Sequence, residues 1–153
     1  MALPIARPCD DAGVNVLLRL LYVSDARPGL DDADIATILD SARRHNEPLG
    51  ITGALSARGG HFAQVLEGPE LAVLQTYVRI AEDDRHSNPQ LITIGPATDR
   101  IYGDWFMGGV SDDRNPLVQV DELRALRDHT VRRDQATLLM GRWLTLLQSQ
   151  TKP

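Results

Sequence analysis

Ile51-Thr52-Gly53-Ala54-Leu55-Ser56-Ala57 and His61-Phe62-Ala63-Gln64-Val65-Leu66-Glu67 lie on either side of Arg58-Gly59-Gly60. Two short apolar runs joined by three residues, two of them glycines free to take positive φ, predict a β-hairpin. In the second run Phe62, Gln64 and Leu66 share one strand face and Ala63, Val65 and Glu67 the other. Gln64 is thereby placed mid-strand in apolar company, and a buried carboxamide must find hydrogen-bond partners. After Gly68, Pro69 fits the first turn of a helix, where its missing N–H costs nothing. Leu71, Val73, Leu74, Tyr77, Val78 and Ile80 are expected to supply that helix's apolar surface, and the polar stretch from Ala81 to Asn88 to end it.

Upstream, Val16 to Val23 is short, apolar and closed by Ser24-Asp25, as a central strand would be, with Tyr22 near its end. From Asp31 to His45 acidic residues open an amphipathic helix in which Ile35, Ile38, Leu39 and Ala42 recur at i, i+3, i+4 and i+7. Arg43, Arg44 and His45 suit its last turn, Asn46 follows them, and Pro48 and Gly50 forbid continuation. Downstream, Gln90 to Pro96 and Asp104 to Val110 are strand candidates separated by a turn-rich stretch from Asp99 to Gly103. The order strand, helix, strand, strand, helix, strand, strand predicts an α+β fold: a ferredoxin-like mixed five-stranded sheet with two helices on one face. Two C-terminal helices are expected at Val120 to His129 and Thr130 to Gln148, the second with a wide apolar surface from Leu138 to Leu147. The expected division is a flexible leader at 1–15, a sheet-and-helix domain at 16–112 and a helical extension at 113–153.

Composition narrows the function. A net charge of -5, with one lysine among the 16 cationic residues, disfavours nucleic acid as a partner. Arg, Asp or Gly interrupts every apolar stretch, so no membrane span is expected. Cys9 alone makes no internal disulfide, and a reducing cytoplasm is the simpler setting. His45, His61, His86 and His129 lack metal-ligand spacing. Gly59-Gly60 and Gly108-Gly109 form no nucleotide fingerprint, and no nucleophile has a base beside it.

Tyr22, Asn46 and Gln64 therefore stand out as polar groups at strand or helix-end positions facing an apolar interior. Singly, each has an ordinary explanation: a core tyrosine, a helix-end asparagine, an edge-strand glutamine. Together with Gly50-Ile51-Thr52-Gly53, Phe62-Ala63-Gln64-Val65-Leu66-Glu67-Gly68-Pro69, Asp84-Arg85-His86-Ser87-Asn88 and Asp104-Trp105-Phe106-Met107-Gly108, they resemble the BLUF family of flavin-based blue-light sensors over roughly Leu17 to Asp112.

The resemblance implies noncovalent FAD, with FMN or riboflavin as substitutes, slotted between the two helices against the sheet. It assigns the photoactive tyrosine to Tyr22, the flavin-binding asparagine to Asn46 and the switching glutamine to Gln64, with Trp105 and Met107 brought near that glutamine. Ile35 and Ile38 are expected in the apolar wall, His45 at the ring border, Thr52 beside it, and Arg85 and His86 toward the flavin tail. Light would drive an electron and a proton from tyrosine to flavin, and the glutamine, whose amide exchanges donor and acceptor ends on rotation, would rearrange. No substrate is consumed, so the protein is not expected to be an enzyme. With no room expected for a cyclase, phosphodiesterase or DNA-binding effector, output would pass to a downstream signalling protein through the C-terminal region, or through a homodimer or higher homo-oligomer. The competing functions are a light-insensitive ferredoxin-like interaction module and a flavin-dependent oxidoreductase, the latter lacking a candidate base.

Overall fold

The computed structural model describes residues 17–110 and 120–127. The expected leader and the expected helix from Thr130 to Gln148, with its Leu138 to Leu147 surface, lie outside the described residues. The elements are β1 (Leu17–Ala26), α1 (Asp32–Asn46), a 3₁₀ turn (Glu47–Leu49), β2 (Thr52–Arg58), β3 (His61–Pro69), α2 (Glu70–Ala81), β4 (His86–Ala97), β5 (Gly108–Val110) and α3 (Val120–Arg127). The strands form one sheet in the order β4-β1-β3-β2-β5, antiparallel except for the β2–β5 pair. This is the mixed five-stranded α+β architecture that the order of elements predicts.

Period-two alternation gives the sheet two distinct faces. Leu20 and Tyr22 of β1, Leu55 of β2 and Phe62 and Leu66 of β3 pack with α1 and α2. Leu21, Val23, Ala54, Ala63 and Val65 point the other way, into a second core that Val120 and Leu123 of α3 cover together with Ile101 and Tyr102. Both sides of the central strands are therefore buried, which explains the almost unbroken apolar run in β1.

α1 starts at a capping box: Asp34 N–H donates to the Asp31 carboxylate, and Asp31 N–H to that of Asp34. The basic last turn matches the expected one, and the helix runs one residue past His45, so that Asn46 is its final residue. Four boundaries differ from expectation, one of them that of β4, which starts at His86 rather than at Gln90. β1 continues through Ser24-Asp25 because Asp25 still pairs with His61 and Ala26 N–H reaches Gly60 O beyond the hairpin. Pro69 ends β3 and precedes α2, whose inward stripe is Val73, Thr76, Tyr77 and Ile80 at i, i+3, i+4 and i+7; Leu71, Leu74 and Val78 flank that stripe and are exposed. The expected strand from Asp104 is reduced to Gly108–Val110, because side chains or a turn take up the backbone groups just before it. Trp105 N–H bonds Tyr102 O, while Asn46 Nδ2 and Arg43 Nε donate to the carbonyls of Phe106 and Met107.

Gly53 shows how closely that last connection is packed. A Cβ there would lie 1.9 Å from Val65 O, a backbone atom of the central strand. The sheet must open to admit it, so Gly53→Ala is expected to lower stability by about 3 kcal/mol, the upper range for overpacking a well-filled core. Urea unfolding checks this, and an unchanged midpoint would contradict the packing described.

Candidate functional site

Residues of α1, α2 and the sheet line a cleft with about 700 Å³ of empty space, open mouth included. Its floor is Tyr22, Leu55, Phe62 and Gln64; α1 contributes Ile38, Ser41, Ala42, His45 and Asn46, and α2 Thr76, Arg79 and Ile80. Asp83 and Arg85 border it in the connection to β4, and His86 at the start of β4.

The floor follows from strand register. Tyr22 of β1 lies opposite Gln64 of β3, and Gln64 opposite Leu55 of β2. Tyr22 Oη donates to Gln64 Oε1 over 2.5 Å, and Gln64 Nε2 donates to Met107 Sδ over 3.3 Å. A thioether is a weak acceptor. The carboxamide is thus held firmly at its oxygen and loosely at its nitrogen, with a second N–H beyond these bonds. Burial pushes the Tyr22 phenol well above its ordinary range, and Tyr77 and Asp83 add to the effect, so the phenol keeps its proton and remains the donor. Tyr77 stacks at a tilt against Tyr22 with ring centroids 5.5 Å apart.

Asn46, buried at the end of α1, spends one N–H on Phe106 O at 2.7 Å and presents the rest of its amide to the cleft. Two buried carboxamides with unused hydrogen-bonding capacity, flanked by Ile38, Ala42 and Ile80, fit a flat heterocycle edged with alternating acceptors and donors.

The mouth is charged and paired. Arg85 grips Asp83, with Nε 2.9 Å from Oδ1, and this guanidinium hydrogen bond holds the carboxyl down at about 2. Burial, then Arg79, pushes the His45 imidazole down. In its neutral form Nδ1 accepts from Arg79 Nη1, and Nε2–H donates to Thr76 Oγ1 at 3.1 Å. His86 Nε2–H donates to Ile80 O, which leaves Nδ1 to accept from Ser24 Oγ at 2.7 Å. Its ring meets Tyr22 and Phe62 edge-on.

Of the residues expected at the site, the structure gathers Tyr22, Ile38, His45, Asn46, Gln64, Arg85 and His86 around the cleft, with Met107 buried behind Gln64. Ile35 packs in the same core layer without lining the cleft. Thr52 and Trp105 lie elsewhere. Thr52 Oγ1 donates to Glu67 on the far sheet face, and Trp105 packs against the core beneath α3, with Tyr102 beside it. Strand alternation explains Thr52, which shares its face with Ala54 rather than Leu55. Arg79 and Asp83 were not among the expected residues. The available signal was their spacing from Thr76 at i+3 and i+7, legible only once the cleft-facing side of α2 is known.

Comparison with known proteins identifies relatives of this fold. The profile of a family described as BLUF, sensors of blue-light using FAD, matches residues 17–108. The beta subunit of a photoactivated adenylate cyclase from Euglena gracilis is 33% identical over 102 residues, covering 66% of this chain and 12% of that protein. The chain therefore spans about an eighth of the length of that relative. The dark-state structure of BlrB, a BLUF protein, superposes with a TM-score of 0.66 at 30% identity, covering 86% of this chain and 97% of that one. A bacterial light-regulated adenylyl cyclase gives a TM-score of 0.61 at 27% identity, covering 90% of this chain and 41% of that one.

The Asp83–Arg85 pair has a measurable signature. The folded Asp83 carboxyl, at about 2, lies below the ~3.9 of an unfolded aspartate, so the pair stabilises the fold fully above about pH 4 and ceases to as pH falls through 2. A carbon-detected NMR titration is expected to find the Asp83 midpoint near 2 in the native chain. In Arg85→Met it should move up to the ordinary aspartate range; a midpoint unmoved by that change would rule the pairing out.

Proposed function

Since the chain belongs to the BLUF family of blue-light sensors that use FAD, we propose that the cleft between α1 and α2 is its flavin site and that Tyr22, Gln64 and Met107 form its switch. The single observation that carries this reading is the Tyr22–Gln64–Met107 chain of hydrogen bonds at the cleft floor. When bound, the flavin supplies blue-light absorption and a photochemical oxidant; the protein supplies position and electrostatics.

Asn46 holds the ring edge with the part of its amide that Phe106 does not engage, and Ile38, Ala42 and Ile80 exclude water from the ring faces. Gln64 presents its second N–H to the same edge. Tyr22 holds a proton at Oη, pointed at Gln64 Oε1. With that proton and one electron passed to the photochemical oxidant, two oxygens would face each other without a hydrogen between them. The carboxamide relieves this by turning, so that Nε2 faces Tyr22 and Oε1 faces the cleft. At its other end the turn releases the thioether, a weak acceptor, and sets Oε1 in place of an N–H at the ring edge. Once Tyr22 regains its proton, the new orientation persists until the amide turns back.

At the mouth, Arg85 is neutralised by Asp83, whereas Arg79 shares one nitrogen with neutral His45 and keeps its other donors. Arg79 is thus the stronger candidate for the phosphate of an FAD or FMN tail, and FAD is the favoured flavin. His86 steadies the floor beside Tyr22. Output passes to a partner protein through the C-terminal region of a cytoplasmic homodimer or higher oligomer, and the chain has no catalytic role of its own.

Absorption spectroscopy tests the proposal. The purified chain is expected to be yellow, to shift its flavin bands slightly to the red under blue light and to recover in the dark. Tyr22→Phe and Gln64→Leu are each expected to keep the colour and lose the shift. A full shift in either variant would overturn the assigned switch, and a colourless protein that takes up no flavin would overturn the site. For the output, gel filtration of lit and dark samples should differ in elution; identical profiles, with no partner retained differently in lit and dark pull-downs, would count against it.

A further inference from the structure

Glu67 is fully buried on the face of the sheet opposite the cleft, and four donors converge on its carboxylate. Thr52 Oγ1 at 3.1 Å and Tyr102 N–H at 2.7 Å reach Oε1; Arg19 Nε at 3.3 Å and Ile101 N–H at 3.0 Å reach Oε2. Burying a carboxylate is costly, and an apolar residue of similar volume would fill a sheet face as well. What the carboxylate adds is direction. Two of its donors are consecutive main-chain N–H groups in the connection between β4 and β5, where no strand ladder fixes the backbone.

The same cluster holds the neighbouring residues. Arg19 Nη2 donates to Asp99 O at 2.6 Å, and Arg100 donates to Thr52 Oγ1 at 2.8 Å and to Gly50 O at 2.7 Å. From Tyr102 the chain turns through Trp105, whose carbonyl accepts from Gly53 N–H at 2.8 Å, and passes the edge of β2 to deliver Met107 to Gln64. The Trp105 ring lies against Gly108, where a Cβ would meet it at 2.1 Å. Residues 101–107 are thus fastened at both ends to β3: by Glu67 on the far face and by Gln64, three positions earlier, on the cleft face.

We propose that Glu67 is a positioning residue for the Gln64 switch, fixing through residues 101–107 where the Met107 sulfur stands and hence how readily the amide turns. The proposal rests on the cleft being the flavin site. With the Glu67 carboxylate intact, Met107 is presented to Gln64 at one place and the amide has one preferred resting orientation. In Glu67→Gln, an N–H is set against Ile101 N–H or Tyr102 N–H, the far end loosens, and both amide orientations become easier to leave.

Two measurements on the full chain test this. Hydrogen exchange of the amides in 101–107 is expected to quicken about tenfold in Glu67→Gln, the factor for losing one charge-assisted hydrogen bond, with α1 and α2 unchanged. Recovery of the flavin bands in the dark is expected to quicken by about the same factor, with the dark bands in place. If Glu67→Gln does not fold, Thr52→Val, which removes one neutral donor, should give about threefold in both. A folded variant whose 101–107 amides exchange and whose bands recover at native rates overturns the proposal, as does faster exchange with unchanged recovery. A native chain that never shifts under blue light refutes the flavin-site reading instead, and hydrogen exchange alone then decides whether Glu67 holds 101–107.

Discussion

The antiparallel register that sets Tyr22 of β1 opposite Gln64 of β3 is the constraint on which the rest depends. Side chains alternate with period two, so a slip of one residue would turn one of these groups to the far face and destroy the 2.5 Å hydrogen bond between them. The register is protected from both sides. Leu20 and Leu66 are buried under the helices, Leu21 and Val65 in the core beneath α3, and a slip would exchange those environments. The cooperative burial of two apolar layers thus keeps a polar pair aligned.

That pair is placed where the interior cannot satisfy it completely. The phenol is fully committed to Gln64, but the amide meets only a sulfur at its other end, and Asn46 nearby has a similar surplus. A ligand with a matching edge would complete both. At the mouth, by contrast, Asp83 is matched by Arg85, and His45 is held between Arg79 and Thr76. A matched pair costs little to keep at a partly wet rim, while the spare amide valences of Gln64 and Asn46 belong to buried residues lining the cleft.

The two faces of the sheet do different work. The cleft face holds the polar pair; the far face carries Glu67, whose cage of donors gives residues 101–107 a defined path without regular secondary structure. Beyond that cage, β5 is only three residues long, because side chains from α1 bind the carbonyls of Phe106 and Met107 and a turn takes the Trp105 N–H.

Local pattern sufficed for much of this. The Arg58-Gly59-Gly60 hairpin, the acidic start and basic end of α1, the strand that places Gln64 among apolar neighbours and the order of elements are written in spacing and composition. The resemblance of the separated motifs to the BLUF family then singled out Tyr22, Asn46, Gln64 and Met107. Tertiary structure decided what spacing leaves open. On the far face Thr52 met the buried carboxylate of Glu67, Trp105 went beneath α3, α2 exposed Leu71, Leu74 and Val78 while burying Thr76, and Arg79 joined the cleft. The physical reason is that periodicity fixes which side chains share a face, while the partner each face meets is set by strand order and helix packing, long-range relations that no local stretch of chain contains.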